Sequence, residues 1–131
     1  MITKLNHIGV AVESIDKTVA FFESAFGARE ITREALPEAG QTSCLIAIGC
    51  DNFELMEPLG EGGVVRKFLD NKGEGFHHIS LVSDDLDADC KRLEENGVKI
   101  VGKSQSGNLR VAFTHPKSTG GIVYEISQTI E

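Results

Sequence analysis

Alternating apolar and polar residues predict a β-strand at residues 5–12. His7 lies on the face of this strand opposite Val10, among small neighbours. Apolar residues then recur at helical spacing after Ser14, which suits an N-cap, and they stop at Gly27, which suits a helix end. The chain therefore opens with a strand followed by an amphipathic helix.

The same criteria predict the remaining elements. Further strands are predicted at residues 28–33, 42–48, 52–57, 77–82, 98–101, 109–114 and 122–127, and further helices at residues 64–70 and about 85–96. Residues 34–40 are predicted to be a loop because two acids stand beside Pro37 and Gly40. Residues 102–108, rich in Ser, Gly and Gln, are predicted to be a mobile loop, and residues 115–121 a compact polar turn.

An internal repeat relates the two halves of the chain. Residues 76–82 repeat the pattern of residues 5–11 with an offset of 71 positions, so His78 matches His7. A period of this length that occurs only twice indicates a duplicated module rather than a solenoid. The predicted fold class is α+β, with two β-α-β-β-β modules, at about residues 5–58 and 76–128, paired through a connection at residues 59–75.

The repeat also pairs two glutamates. Glu125 follows Glu54 by the same 71 positions, so each half carries a histidine and a glutamate 47 residues apart. Taken singly, such histidines are often hydrogen-bonded core residues and such glutamates often face solvent. Strand alternation, however, points both glutamates the same way as the histidines if the module is duplicated.

We therefore predict one metal site, surrounded by a cupped mixed sheet and formed by His7, Glu54, His78 and Glu125. A nitrogen and oxygen donor set of this kind suits a divalent ion such as Co, Ni, Zn or Mn. His77 points to the opposite face by alternation, so we expect it to pack or to form hydrogen bonds. His115 lies in a turn outside the repeat, which favours a surface or substrate-side role.

Size and composition limit the other possibilities. The chain has 131 residues, 40% of them hydrophobic, and a net charge of −7. One domain with its own core is expected, and nucleic acid is an improbable partner because no basic cluster is present. No apolar run reaches the length of a membrane span or of a signal sequence. Cys44, Cys50 and Cys90 are too far apart for a thiolate metal site and are expected to be small buried residues in a reducing cytoplasm.

A metal held by four protein ligands keeps positions for substrate oxygens, as a Lewis-acid enzyme requires. The natural chemistry is stabilisation of an enolate, with carboxylates removing and returning the proton at the adjacent carbon. The predicted ligand glutamates, or the acids of the loop at residues 34–40, are the candidates for this proton transfer.

Four segments carry a resemblance to a known family. They are residues 5–12, 54–60, 72–79 and, above all, the turn at residues 115–121 before Glu125. On these segments, which span nearly the whole chain, the sequence resembles the vicinal oxygen chelate superfamily, which includes glyoxalase I, and within it the methylmalonyl-CoA epimerase branch. The resemblance implies a single domain over residues 1–131, the four metal ligands named above, and a metal-dependent isomerase that interconverts the C2 epimers of methylmalonyl-CoA.

The resemblance further implies an acyl-CoA thioester as substrate, and we expect a homodimer. Lys117, Ser118, Glu38 and Ser43 are candidates for substrate binding. Ser43 stands where some epimerases carry a glutamate proposed as a base, and serine cannot replace it. Glu125 and Glu54, with Glu38 as a loop acid, are therefore the remaining proton-transfer candidates.

Two other functions stay open at this point. The same ligand set resembles bacterial glyoxalase I, an isomerase of a thiol hemithioacetal, although that enzyme usually carries a different turn at residues 115–121. The third hypothesis is a non-catalytic binding protein of the same superfamily, because Ser43 occupies the position of the base. Such binding proteins often lack the metal ligands, which argues against this hypothesis.

Overall fold

Eight strands and three α-helices make up most of the chain, and the computed structural model describes residues 1–131. The strands are β1 (Ile2–Ala11), β2 (Arg29–Leu36), β3 (Gln41–Ile48), β4 (Asp51–Pro58), β5 (Gly75–Ser83), β6 (Ile100–Ser106), β7 (Leu109–Thr114) and β8 (Val123–Thr129). The helices are α1 (Ile15–Phe26), α2 (Val64–Lys72) and α3 (Leu86–Glu95), and short 3-10 turns occupy Pro37–Ala39 and Pro116–Ser118. None of the helices has the length and apolar character that crossing a bilayer requires.

The chain divides into two compact units. The first unit is His7–His77, and the second unit is Met1–Asn6 together with His78–Glu131. Strands of the first unit follow the order β2-β3-β4-β1, and those of the second unit follow the order β5-β8-β7-β6. Each unit contains one parallel pair beside antiparallel pairs, so each is a mixed sheet.

In the first unit, α1 begins and ends at the residues that the pattern predicts. The Ser14 side chain accepts a hydrogen bond from the backbone N–H of Lys17 at 3.2 Å, and Gly27 ends the helix with φ 67°. The helix buries Ile15 and Val19 against the sheet, in a core with Leu55 and three other buried residues. On the other side, Ala11 and Met56 form a second core with Val65 and Leu69 of α2.

In the second unit, α3 repeats this arrangement. Asp85 caps the helix, since its side chain accepts a hydrogen bond from the backbone N–H of Ala88 at 3.1 Å. Leu86 and Cys90 of α3 pack on Ala112 and Ile126 of the sheet. Leu81, Leu93 and Tyr124 lie partly buried around this core.

The strand register preserves the repeat in detail. In the first unit Gly9 of β1 pairs with Glu54 of β4, and in the second unit Ser80 of β5 pairs with Glu125 of β8. Both parallel pairs are therefore related by the same 71 positions that relate the two sequences. The prediction of a duplicated strand-helix arrangement is confirmed at the level of individual backbone pairs.

Two predicted loops are wrong. Residues 34–36 continue β2, because Glu34 pairs with Ser43, and only Pro37–Ala39 form a turn. Residues 102–106 belong to β6, which pairs with β7 across a two-residue turn at Gly107 and Asn108. In both places a neighbouring strand supplies the backbone partners, so a loop-like composition does not prevent pairing.

One prediction about the cysteines also fails. Cys44 and Cys90 are buried free thiols, as expected, but Cys50 is exposed. Cys50 lies in the tight turn between β3 and β4, where no core is available to cover it. Burial raises the pKa of the Cys44 and Cys90 thiols, which keeps them neutral as small apolar residues.

Candidate active site

The first unit brings His7 and Glu54 together on one face of its sheet. Glu54 pairs across the strands with Gly9, which has the same side-chain parity as His7. His7 Nε2 lies 3.5 Å from Glu54 Oε1, and the two side chains are 12% and 24% exposed. Phe53 and Leu55 pack on the opposite face under α1, as strand alternation predicts.

In the second unit the strand register places His78 and Glu125 on one face of the sheet. Ser80, two residues after His78, pairs with Glu125, so all three side chains share one face. His78 is buried, and the Ser80 hydroxyl donates a hydrogen bond of 2.7 Å to Glu125 Oε1. Ile126 enters the core beneath α3 on the other face.

The donor atoms suit a divalent metal ion. Each unit carries one imidazole and one carboxylate as possible metal donors, His7 with Glu54 in the first unit and His78 with Glu125 in the second. Neutral imidazole and carboxylate are the common ligands of Zn, Co, Ni and Mn in proteins. Cys44 and Cys90 are buried among apolar residues in the two helix–sheet cores. Neither cysteine therefore lies in a position to form a thiolate metal site.

His77 takes a packing position. Its ring meets the ring of Phe68 edge-on, with 4.9 Å between the ring centres. Burial lowers the pKa of His77, and the nearby Glu54 carboxylate opposes this shift. A neutral ring packed against an aromatic side chain is the role that strand alternation predicts for His77.

Ser43 shares the face of the sheet that carries Glu54. The strand register gives both residues the same parity, and the Ser43 hydroxyl accepts a hydrogen bond from Gln41 Nε2 at 2.9 Å. Glu38 lies in the exposed 3-10 turn. Glu34, which pairs with Ser43 across β2 and β3, is a carboxylate on this same face.

Glu34 was predicted to lie in a loop, so its position opposite Ser43 is a feature that the sequence pattern missed. The sequence carries no clear strand signal here, because the charged residues Glu30, Arg33 and Glu34 do not alternate with apolar ones. Because Pro37 and Gly40 disfavour regular structure, the predicted loop began three residues before the turn that the structure shows. Strand pairing therefore adds Glu34 to the acids on the face of the sheet that carries Glu54.

The turn before Glu125 is built by its own side chains. His115 Nδ1 accepts a hydrogen bond from the backbone N–H of Lys117 at 3.1 Å. The Ser118 hydroxyl donates to the His115 carbonyl oxygen and accepts from the backbone N–H of Lys99 at 3.0 Å. His115 therefore caps the turn, and Lys99 and Lys117 line an open recess beside it.

Several proteins of known activity are similar to this chain over most of its length. An ethylmalonyl-CoA/methylmalonyl-CoA epimerase of Cereibacter sphaeroides is 32% identical over 133 residues, covering 98% of this chain and 99% of that protein. A human mitochondrial methylmalonyl-CoA epimerase is 32% identical over 129 residues, covering 95% of this chain and 73% of that protein. A variant of the Streptomyces coelicolor methylmalonyl-CoA epimerase, solved in complex with 2-nitronate-propionyl-CoA, superimposes with a TM-score of 0.87 at 30% identity, covering 98% of this chain and 96% of that one.

These similarities confirm the predicted fold class and the expectation of an enzyme of the isomerase class. The model of the Glyoxalase/Bleomycin resistance protein/Dioxygenase superfamily matches residues 6–113. The chain belongs to this superfamily, and the relatives described here are epimerases.

Proposed function

We propose that this protein is a metal-dependent epimerase that interconverts the C2 epimers of methylmalonyl-CoA. The observation that carries the proposal is the repeated His–Glu pair, which occurs in one strand register in both units. In this proposal His7, Glu54, His78 and Glu125 supply the ligands of one divalent ion. Two histidines and two glutamates match the ligand preferences of Co, Ni, Zn and Mn.

Each group has a defined part in the chemistry. When bound, the ion would act as a Lewis acid that favours the enolate of the thioester over the neutral form. Glu125 is the candidate that removes or returns the C2 proton, because the Ser80 hydroxyl holds one carboxylate oxygen by a hydrogen bond of 2.7 Å. Glu54, beside His7, is the candidate on the opposite face of the planar carbon.

Recognition of the substrate's acyl-CoA portion is assigned to cationic and polar groups. Lys99 and Lys117 line one recess in the second unit together with Ser118, and phosphate groups of CoA would suit these cations. Glu38 and Ser43 are proposed to contact the acyl end, and Ser43 lies on the face of the sheet that carries Glu54. We also propose a homodimer located in the cytoplasm.

Hydrogen–deuterium exchange tests the reaction. Methylmalonyl-CoA incubated in D2O with the protein and Co²⁺, Ni²⁺, Mn²⁺ or Zn²⁺ should lose its C2 proton, which NMR or mass spectrometry detects. The ligand variant His78→Ala, which removes a proposed metal nitrogen, should exchange far more slowly under the same conditions. Absence of exchange with every one of these ions would contradict the proposal.

The alternative function is glyoxalase I, which shares the predicted ligand set. One observation supports this alternative. Ser43, whose hydroxyl accepts a hydrogen bond from Gln41, stands where the epimerase reaction would need a carboxylate base. Isomerisation of a methylglyoxal–thiol adduct would appear as metal-dependent thioester formation at about 240 nm. A non-catalytic binding protein would instead bind one of these thioesters tightly without turnover of either substrate.

A further inference from the structure

The cores under α1 and α3 are built at equivalent positions from residues of different size. With the offset of 71 positions, Val19 of α1 corresponds to Cys90 of α3, and Phe22 corresponds to Leu93. At the helix ends, Phe26 precedes Gly27 in the first unit, whereas Asn96 precedes Gly97 in the second. Each replacement in the second unit removes apolar volume.

The sheet beneath the helices differs in the same direction. Ile46 pairs with Phe53 in the first unit, and both belong to its core. In the second unit the position of Ile46 is taken by Thr114, which lies beside Tyr124, the counterpart of Phe53. The Thr114 hydroxyl accepts a hydrogen bond from the backbone N–H of Tyr124 at 3.0 Å. A smaller and partly polar side chain therefore stands below the smaller residues of α3.

The first unit fills the space with aromatic rings. The ring of Phe22 meets the ring of Phe26 at 5.4 Å and an angle of 88°, and the ring of Phe53 at 5.8 Å and 81°. Edge-to-face pairs of this kind are favourable beyond the burial of their area. Side-chain rings of the protein itself thus fill a phenyl-sized volume between α1 and the sheet of the first unit.

The second unit leaves this volume as a cavity of about 290 Å³. Its surface is mainly apolar, although half of the residues that line it are polar, and Leu81, Leu93, Tyr124 and Ile126 contribute to that surface. Asn96 and Thr114, the counterparts of Phe26 and Ile46, also border it. The cavity therefore lies where the replacements remove volume.

The polar residues around the cavity already have partners. Arg92 Nη1 lies 3.0 Å from Asp89 Oδ1, and the Asn96 side-chain amide donates to the Arg92 carbonyl oxygen at 2.8 Å. The Thr119 hydroxyl donates to the Ile122 carbonyl oxygen. Because these groups are satisfied locally, the cavity offers an apolar surface to a neutral ligand and no separate charge to an ionic one.

We propose that the cavity between α3 and the sheet of the second unit binds a small neutral aromatic molecule, with its ring edge-to-face against Tyr124 as Phe22 lies against Phe53. An apolar cavity of roughly 150 Å³ is sufficient to bind benzene. A cavity of about 290 Å³ is therefore large enough for one substituted ring and lies at the small end of ligand pockets. The ligand takes the position of the rings that α1 supplies in the first unit.

Toluene is the probe that tests this proposal. Titration of the full chain with toluene, followed by ¹H–¹⁵N NMR, should give saturable shifts of the amides of Leu93, Tyr124 and Ile126. Cyclohexane is the matched non-aromatic probe, and it should bind about 2- to 10-fold more weakly because it loses the ring–ring contact. Unsaturable shifts, or cyclohexane binding as tightly as toluene, would overturn the aromatic site.

Filling variants locate the binding. Leu93→Phe places a ring at the position that Phe22 holds in the first unit, and Asn96→Phe does so at the end of the helix, where folding is less at risk. Either variant should weaken toluene binding by at least tenfold, whereas Phe22→Leu in the first unit should leave it unchanged. Toluene shifts that persist in both filling variants would refute the location. C2 exchange in Asn96→Phe is expected to remain, so the site and the proposed epimerase fail or succeed separately.

Discussion

The first unit packs aromatic rings between its helix and its strands, whereas the second unit leaves a cavity at the equivalent place. Phe22 and Phe53 form an edge-to-face pair under α1, but Leu93 and Asn96 of α3 border a space of about 290 Å³. On the candidate-site faces, by contrast, the two units keep one register, Gly9 with Glu54 and Ser80 with Glu125. The strands that carry the His–Glu pairs thus have the same register in both copies of the module, whereas the packing of the core under the helix differs between the copies.

This difference follows from what each face must do. A core needs apolar volume of about the right size, and a local deficit lowers stability without abolishing the fold. A one-residue slip in a strand would send every side chain to the other face, so a site built on strand parity tolerates no change of register. Substitutions at equivalent positions of the two units should therefore have different effects.

The largest expected effect is on stability, and it separates the two cores. Leu55→Ala removes a fully buried side chain from the filled core of the first unit and should reduce the free energy of unfolding by about 3–5 kcal/mol. Ile126→Ala, in the second unit, should cost less, about 2–3 kcal/mol, because Ile126 already faces the cavity and makes fewer contacts there. Urea unfolding of the two variants measures the difference. Equal losses would mean that the second core is packed as tightly as the first.

The fold was largely predictable because its determinants are local and repeated. Ser14 and Gly27 bound α1, as their capping and left-handed preferences require. Alternation around Glu54 and Glu125 gave the correct strand faces, since Leu55 and Ile126 enter cores. Predictions failed where strand pairing overrides composition, as in β6, whose Ser and Gln residues pair with β7.

The candidate site was less predictable than the fold. The offset of 71 positions identified His7, Glu54, His78 and Glu125, but a repeat cannot reveal what differs between the copies. Ser80, which donates to Glu125, stands where the first unit has Gly9, and only the strand register shows that it faces the glutamate. Such contacts depend on tertiary geometry, which no local pattern encodes.

The second effect, on rate, separates Glu125 of the candidate site from the turn acid Glu38. Glu125→Gln, assayed at saturating metal, should lose about a hundredfold or more in turnover, which corresponds to about 2.7 kcal/mol of barrier. The reason is that the amide cannot take up the C2 proton, although it can still accept the hydrogen bond from Ser80. Glu38→Gln, an exposed acid in a turn, is the control and should change turnover much less. Near-normal C2 exchange by Glu125→Gln would move the base to Glu54, Glu38 or a water held by Ser43.

The third prediction separates two adjacent histidines. His78→Ala removes a proposed metal nitrogen, so metal affinity should fall by more than about tenfold and activity should fall with it. His77→Ala removes a ring that packs on Phe68 and should leave metal content nearly unchanged. Equilibrium dialysis followed by elemental analysis measures both variants. Loss of metal in His77→Ala with retention in His78→Ala would show that strand parity is misassigned in β5.

The smallest expected effect concerns a polar pair that only the second unit contains. Asp89 is buried beside Ser83, whereas the equivalent positions of the first unit are Thr18 and Val12. Burial alone would raise the pKa of Asp89, but the Ser83 hydroxyl, the Met1 amino group and Arg92 together lower it. Because the folded pKa lies below the unfolded value of about 3.9, Asp89 stabilises the fold above that pH, and this contribution is lost as the pH falls through the folded pKa.

Asp89→Asn should therefore reduce the free energy of unfolding at pH 6 and have a smaller effect at pH 3, as measured by urea unfolding at both values. Thr18→Val in the first unit is the matched control, because it removes the hydroxyl that donates to the Ser14 carbonyl oxygen at 2.8 Å but no titrating group. Its cost should be the same at both pH values. A pH-independent cost for Asp89→Asn would mean that the carboxylate is no better stabilised in the folded chain than in the unfolded one, and the polar pair would then contribute to packing alone.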